Sequence, residues 1–392
     1  MEKREIRSRV RWLGVVDWDR RLFDSLIPLP DGTSYNAYLI EGSEKTALLD
    51  AVDPAVIETL MAQLAGVPEV HYVVAHHAEQ DHSGGIPQVL ARYPQAQVVA
   101  TDRGKELLMS HLGIPAERFI TVADGAELSL GDRTLRFLHT PWAHWPETMS
   151  TYLVEERILF SCDLFGSHLA TSDLYVTDEG RTYEAAKRYY AEIMMPFRRF
   201  IQRNLVKVEA LPLDLIAPSH GPIYGRPMFI LEAYREWIDD APKNVVVIPF
   251  ISMHGSTRLM VDHLVSALVA RGVTVQQFDL VATDIGKLAM ALVDAATVVV
   301  GTPTVHVGPH PNVVYAAYLA NVLKPKARYA AVIGSYGWGS KAVEQVAGLT
   351  PNLKVEILGA VLAKGAPTAA TYAALDQLAD HIAAKHRESG LA

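Results

Sequence analysis

The chain has 392 residues, 49% hydrophobic and 20% charged, which is enough for two domains with separate cores. Its 36 basic and 44 acidic residues leave a net charge of −8, and no Lys/Arg run offers the basic face that gripping nucleic acid requires. The single cysteine, Cys162, excludes an intrachain disulfide or an iron site built from four cysteines of the chain.

The opening MEKREIRSRVRW has charges with no apolar core behind them, and no apolar run reaches the length of a membrane span, so a cytoplasmic protein is expected. Short strands follow: SYNAYLI, TALLDAV, VHYVVA, QVVAT, TLRFLHT, STYLVE and RILFS. Helical stretches such as PAVIETLMAQLAG and IPQVLARYP lie between them, and a long amphipathic stretch, EAAKRYYAEIMMPFRRFIQRNL, precedes the strand-like LIAPSHG. Mixed strands with outer helices predict two sheets sandwiched between helices over residues 1–242. Beyond WIDDAPKN the pattern becomes regular, with NVVVIPF, VTVQQFDL, DAATVVVG, RYAAVIG and KVEILGAVLA alternating with helical segments. Residues 243–392 are therefore expected to form an α/β unit with a doubly wound parallel sheet.

Chemistry concentrates in HHAEQDHSGG, directly after the strand-like VHYVVA. If this segment is extended, alternate side chains share a side, so His77, Glu79 and Asp81 converge and His82 turns to a neighbouring position. His144 in TPWAHWPET, Asp163 in FSCDLFG and His220 in IAPSHGP each sit in a loop beside a Pro, a Gly or a strand end. Taken singly, each histidine reads most simply as a core or surface residue; the set points to a metal centre.

This order of residues resembles the metallo-β-lactamase fold, whose dinuclear zinc hydrolases carry His-x-His-x-Asp-His, then His, a bridging Asp and His. Here Glu79 replaces the second histidine of the loop, and the harder carboxylate favours iron. His-x-Glu-x-Asp-His is the pattern of the flavodiiron proteins, and the similarity continues through HWP, the Asp after ILFS, and SHG. The resemblance implies that His77, Glu79 and His144 hold one iron, that Asp81, His82 and His220 hold the other, and that Asp163 bridges them. His76 and Glu147 depart from the usual Asn and Asp, and neither is expected to touch an assigned ligand. His168, in FGSHL, is a candidate proton or hydrogen-bond donor to bound gas, or simply a histidine bonded to nearby backbone.

In the second half, ISMHGST follows a strand and opens a helix, with no Gly-Lys-Ser/Thr and no Gly-x-Gly-x-x-Gly. Backbone N–H groups around Ser252, Met253, His254, Gly255, Ser256 and Thr257 can wrap a terminal monophosphate such as that of FMN. Two more strand-end loops support this: Thr302, Pro303, Thr304 and Val305 in GTPTVHVG, and Ser335, Tyr336, Gly337, Trp338 and Gly339 in GSYGWGS. Tyr336 or Trp338 could stack on a flat ring. The loops resemble the flavodoxin-like half of the flavodiiron proteins, with His254 and His306 as departures. The resemblance implies a reductase that passes electrons from an external donor through FMN to two non-haem irons and on to dioxygen or nitric oxide. The implied donor is a rubredoxin-like protein or reduced coenzyme F420, and the implied assembly is a head-to-tail homodimer. The alternatives are a dinuclear zinc hydrolase fused to a flavodoxin-like domain, and an electron carrier with a degenerate first domain.

Overall fold

The computed structural model describes residues 4–392 and divides into two compact units, Met1–Ile238 and Asp239–Ala392. In the first, β1 (Arg4–Arg7), β2 (Val10–Trp12), β3 (Tyr38–Glu41), β4 (Thr46–Leu49), β5 (Tyr72–Val74), β6 (Gln97–Ala100) and β7 (Phe119–Thr121) form one sheet in chain order. A second sheet contains β8 (Glu127–Ser129), β9 (Thr134–His139), β10 (Met149–Leu153), β11 (Ile158–Cys162) and β12 (Leu215–Pro218). β4 to β7 are parallel, as are β11 and β12, so their carboxyl ends gather at one edge.

Alternation along the strands builds two cores. Leu39, Leu48, Val73 and Val98 point to one side, into a cluster with Leu60, Leu64, Val89 and Leu108 of the flanking helices. Their neighbours Ile40, Leu49, Val74 and Val99 point to the other and meet Leu135, Phe137, Leu153 and Phe160 of the second sheet. Each such side chain, fully buried, contributes roughly 1.5–3 kcal/mol. The result is the expected pair of face-packed sheets with outer helices.

Two details differ from expectation. SYNAYLI is not one strand: Thr33–Tyr35 pairs with Val15–Asp17, and β3 starts at Tyr38. Between them the buried Asn36 accepts from Trp12 Nε1 at 2.9 Å and donates to the carbonyls of Pro218 and Gly221, both at 2.8 Å. That amide needs a kinked backbone, and it staples the loop that carries His220. The stretch EAAKRYYAEIMMPFRRFIQRNL is likewise interrupted. An α-helix, Glu179–Tyr189, loosens into a π-turn at Tyr190–Met194 and a tight turn at Met195–Phe197 before helix Arg198–Glu209. Pro196 cannot donate to the preceding turn, which ends the regular ladder there.

In the second unit β13 (Val245–Phe250), β14 (Thr274–Asp279), β15 (Thr297–Val305), β16 (Tyr329–Tyr336) and β17 (Glu356–Lys364) form a parallel sheet in the order β14-β13-β15-β16-β17. This is the flavodoxin-like order, with its switch point beside β13. Helices Ser256–Val269 and Ala369–Glu388 cover one face, packing on Val246, Ile248, Phe250, Val299 and Ile333. No helix among the described residues is long and apolar enough to cross a membrane.

Candidate metal centre and cofactor pocket

Each chemically active side chain of the first unit follows the carboxyl end of a strand. The loop after β5 carries His77 and Glu79, the loop after β9 carries His144, Asp163 follows β11, and His220 follows β12 by two residues. Asp81 and His82 lie on a single helical turn, Gln80–Ser83. That turn corrects the extended-loop expectation. It swings Asp81 away from Glu79, so that only His77 and Glu79 share a side.

Two groups of ligand atoms result. His77, Glu79, His144 and Asp163 form one, and Asp81, His82 and His220 form the other. In the first, Glu79 Oε2 lies 3.0 Å from His77 Nε2 and 3.1 Å from His144 Nε2. Asp163 joins the groups: its Oδ2 is 3.6 Å from His77 Nε2 and 3.5 Å from His144 Nε2. Its Oδ1 is 3.0 Å from His82 Nε2 and 3.3 Å from His220 Nε2. Asp81 Oδ2 sits 3.2 Å from His220 Nε2.

Both oxygens of Asp81, both oxygens of Asp163 and His82 Nε2 are buried without a hydrogen-bond partner. Buried orphan polar atoms are costly, yet here several point at one another's neighbourhood. Orphan carboxylate oxygens facing imidazole nitrogens at 3.0–3.6 Å fit metal cations. The supports behind the ligands agree. His77 Nδ1 donates to Glu147 Oε1 at 2.8 Å, and His220 Nδ1 donates to the Ser34 carbonyl at 2.7 Å. Each bond fixes the tautomer that turns Nε2 inward as a lone pair. Trp145 sets its edge against the His77 ring, centroids 4.9 Å apart, and restrains its rotation.

The charges reinforce one another. Burial, the largest single effect, pushes carboxylates up and imidazoles down, but opposite charges outweigh it at most positions. His77 and Glu147 each receive the other's charge, which holds Glu147 below the carboxylate range and His77 well above the imidazole range. Despite burial, His144 and His77 hold Glu79 below that range, and His82 and His220 do the same for Asp163. His220, buried but between Asp163 and Asp81, is raised to about 10. The site thus draws positive charge into a dry space.

Two histidines outside the ligand groups have distinct surroundings. His76 Nδ1 contacts Asp50 Oδ2 at 2.7 Å and its Nε2 contacts Thr151 Oγ1 at 2.7 Å, so neither ring nitrogen is available to a metal. His168 Nδ1 contacts Thr33 Oγ1 at 2.8 Å, and its buried Nε2 has no partner. Its ring lies 4.9 Å from that of His220, and burial followed by the charge of His220 pushes it well below the usual imidazole range. Glu147 corrects the expectation that it touches no assigned ligand, because it bonds His77 directly. One signal for this was its position three residues after His144, at the foot of the same loop.

In the second unit, a cavity of about 390 Å³ opens at the carboxyl ends of β13, β15 and β16. Ser252, Met253, His254, Ser256, Thr257, Pro303, Thr304, Ser335, Tyr336, Gly337 and Trp338 line it. Gly255, Thr302, Val305 and Gly339 lie outside its wall. Gly255, at φ +88°, makes the left-handed turn that starts helix Ser256–Val269 and bears no cap side chain. That leaves the N–H groups of Ser256 and Thr257 available to an anion, while the Arg258 N–H donates to Ser252 Oγ at 3.1 Å. Thr302 is turned inward, its hydroxyl donating to Pro303 O at 2.8 Å and accepting from His310 N–H at 3.0 Å. Gly365 and Ala366 complete the wall and were missed. They follow β17, the next strand outward, whose end obeys the same strand-end rule.

A lactamase-like sandwich with a bridged, carboxylate-rich ligand set, followed by a flavodoxin-like unit, defines a two-part redox flavoprotein. The family model described as "ODP family beta lactamase" matches residues 33–221. The chain is 35% identical over 364 residues to the nitric oxide reductase of Moorella thermoacetica, covering 90% of each chain. It is 35% identical to the coenzyme F420H(2) oxidase of Methanothermobacter marburgensis, covering 79% of this chain and 80% of that one. Rubredoxin oxygen:oxidoreductase of Desulfovibrio gigas superposes with a TM-score of 0.95 over 100% of both chains at 28% identity. The flavodiiron protein of Giardia intestinalis gives 0.89 over 99% and 98% at 26%. The chain belongs to the flavodiiron, or type A flavoprotein, family and is an oxidoreductase with a flavin and a diiron centre as its cofactors.

Proposed function

We propose that this protein takes electrons from an external donor into FMN, passes them to the iron pair and reduces dioxygen to water, nitric oxide to nitrous oxide, or both. The observation that carries this reading is Asp163, whose two oxygens face two separate sets of imidazoles. On this reading His77, Glu79 and His144 would hold one iron, Asp81, His82 and His220 would hold the other, and Asp163 would contribute an oxygen to each. When bound, the iron pair supplies Lewis-acid and electron-transfer chemistry to the gas, and the flavin supplies electrons from the donor.

The chain's own residues orient, shield and charge the site. Glu147 and the Ser34 carbonyl fix the imidazoles, the buried walls exclude bulk water, and the anionic oxygens of Glu79, Asp81 and Asp163 favour the more oxidised metal. His168 Nε2, buried and unbonded, is placed to hold a proton or hydrogen bond beside His220. In the second unit the N–H groups at the helix start, Ser256 and Thr257, would hold the flavin phosphate, and Tyr336 or Trp338 would cover the ring. A rubredoxin-like protein or reduced coenzyme F420 is the proposed donor, in keeping with the relatives' names, and a head-to-tail homodimer is the proposed assembly. The zinc-hydrolase alternative finds no support in the three named relatives, a nitric oxide reductase, a coenzyme F420H(2) oxidase and a rubredoxin oxygen:oxidoreductase. Anaerobic stopped-flow tests the reading. Reduced protein mixed separately with each gas should reoxidise rapidly with at least one, and reoxidation with neither at more than the rate of free reduced flavin would refute it.

A further inference from the structure

We propose that the second unit contains a binding site for a compact, neutral, apolar molecule, distinct from the flavin cavity. A cavity of about 290 Å³ lies between the sheet and helices Ile285–Leu292, Pro311–Leu323 and Ala342–Leu349. Leu288, Leu292, Val313 and Ala331 form its floor and are at most 1% exposed, while Glu344, Ala347 and Ile357 stand exposed at its mouth, so it is a deep pocket open to solvent on one side.

Small side chains make the space. Helix Pro311–Leu323 presents Ala316, Ala317 and Ala320 to it, where larger residues at those positions would close it. The sheet contributes as well. β13 pairs with β15 at Val247 and next at Phe250, passing over Ile248 and Pro249, and Pro249 lines the cavity. A proline in a central strand has no N–H for the ladder, so this position gives its ring to the pocket wall and no bond to β15.

Size and lining together identify the ligand class. Apolar walls in contact with water favour an apolar occupant, which removes that surface from solvent. An apolar cavity of about 150 Å³ stays dry and takes up benzene or xenon. Thr350 and Glu344 are the only polar side chains lining this one among the described residues. Thr350 Oγ1 turns back to the carbonyls of Val346 and Ala347, both at 3.3 Å, and so offers nothing inward. Glu344 is exposed at the rim, where its carboxylate opposes an anionic head group such as that of a fatty acid. A small aromatic or short-chain hydrocarbon meets all of these conditions.

The test uses the full-length holoprotein with toluene as probe and octanoate as the anionic control, followed by ligand-observed NMR and thermal unfolding. Toluene should bind saturably and raise the unfolding midpoint, while octanoate should bind at least tenfold more weakly. Ala317→Leu fills the space and should weaken toluene binding at least tenfold with FMN content unchanged. If that variant does not fold, Ala320→Leu serves the same purpose, and xenon-pressurised crystals of the wild type should show xenon between the three helices. No saturable toluene binding, or binding unchanged in a folded filled variant, overturns the site. Octanoate binding as tight as toluene overturns its neutral character.

Discussion

Replacing Glu147 should weaken metal binding although Glu147 is not itself placed among the ligands. Its carboxylate is 4% exposed, accepts from His77 Nδ1 at 2.8 Å and from the Ala78 N–H at 3.0 Å. A charged acceptor of this kind raises the basicity of the opposite ring nitrogen, and losing such a support typically costs 10–100-fold in metal affinity, or about 1.4–2.8 kcal/mol. Glu147→Gln keeps the volume and one acceptor oxygen, so the expected loss is about tenfold. Glu147→Ala strips the partner from two buried donors, each worth about 1–3 kcal/mol when left unpaired. It should approach the hundredfold end and also lower stability. Anaerobic titration of ferrous iron against a chromophoric chelator measures the affinity, with flavin content as the internal control, since the second unit is untouched. If Glu147→Ala binds both irons within twofold of the wild type, the support argument is wrong.

Three further outcomes are expected. Glu79→His exchanges an anionic oxygen for a neutral nitrogen and should abolish gas reduction while FMN stays bound; wild-type reoxidation rates in stopped-flow would show that Glu79 is not a ligand. Ser256→Asp places a carboxylate in the first helical turn, which tolerates it, but at the expected phosphate position, so the purified variant should lack flavin; stoichiometric flavin would place the phosphate elsewhere. His386 is fully buried between Thr297 Oγ1 at 2.7 Å and Asn244 Oδ1 at 2.8 Å, and burial lowers its pKa. The unfolded chain therefore binds the extra proton below about pH 6.5, so this contribution to stability is complete above that pH and is lost as pH falls. Urea unfolding from pH 5 to 8 should show a shallower pH dependence in His386→Gln, and an identical slope would refute the assignment.

The strands of the second unit were legible because NVVVIPF and DAATVVVG are β-branched runs buried on both faces, a pattern only an enclosed parallel sheet produces. Helix Asp102–Leu112 was not seen, since DRGKELLMSHL is largely polar with Gly104 inside; its start depends on Thr101 Oγ1 accepting from the Gly104 N–H at 3.0 Å. Strands β1 and β2 were hidden by the same charges that argued against a signal segment: β1 pairs only with β2, and β2 joins the sheet through a partner near residue 40, where local sequence carries no trace of the pairing. At the centre, ligand types and strand-end positions could be read along the chain. The division of those ligands into two groups could not, because it depends on one helical turn displacing Asp81 from Glu79. The contact from Glu147 to His77 likewise spans 70 residues and needs the fold to exist first.

Asn36 has a consequence for the timing of synthesis. It bonds the carbonyls of Pro218 and Gly221 on either side of His220, the last of the seven clustered residues to leave the ribosome. A nascent chain bearing His77 through Asp163 already exposes most of a metal-binding surface, but the strand that seats His220 and the kinked backbone that anchors it meet only when nearly the whole first unit has emerged. At about 5–20 residues per second, tens of residues separate the two events by seconds. The loop after β12 is therefore the last part of the cluster to be set, and the Asn36 amide is what sets it.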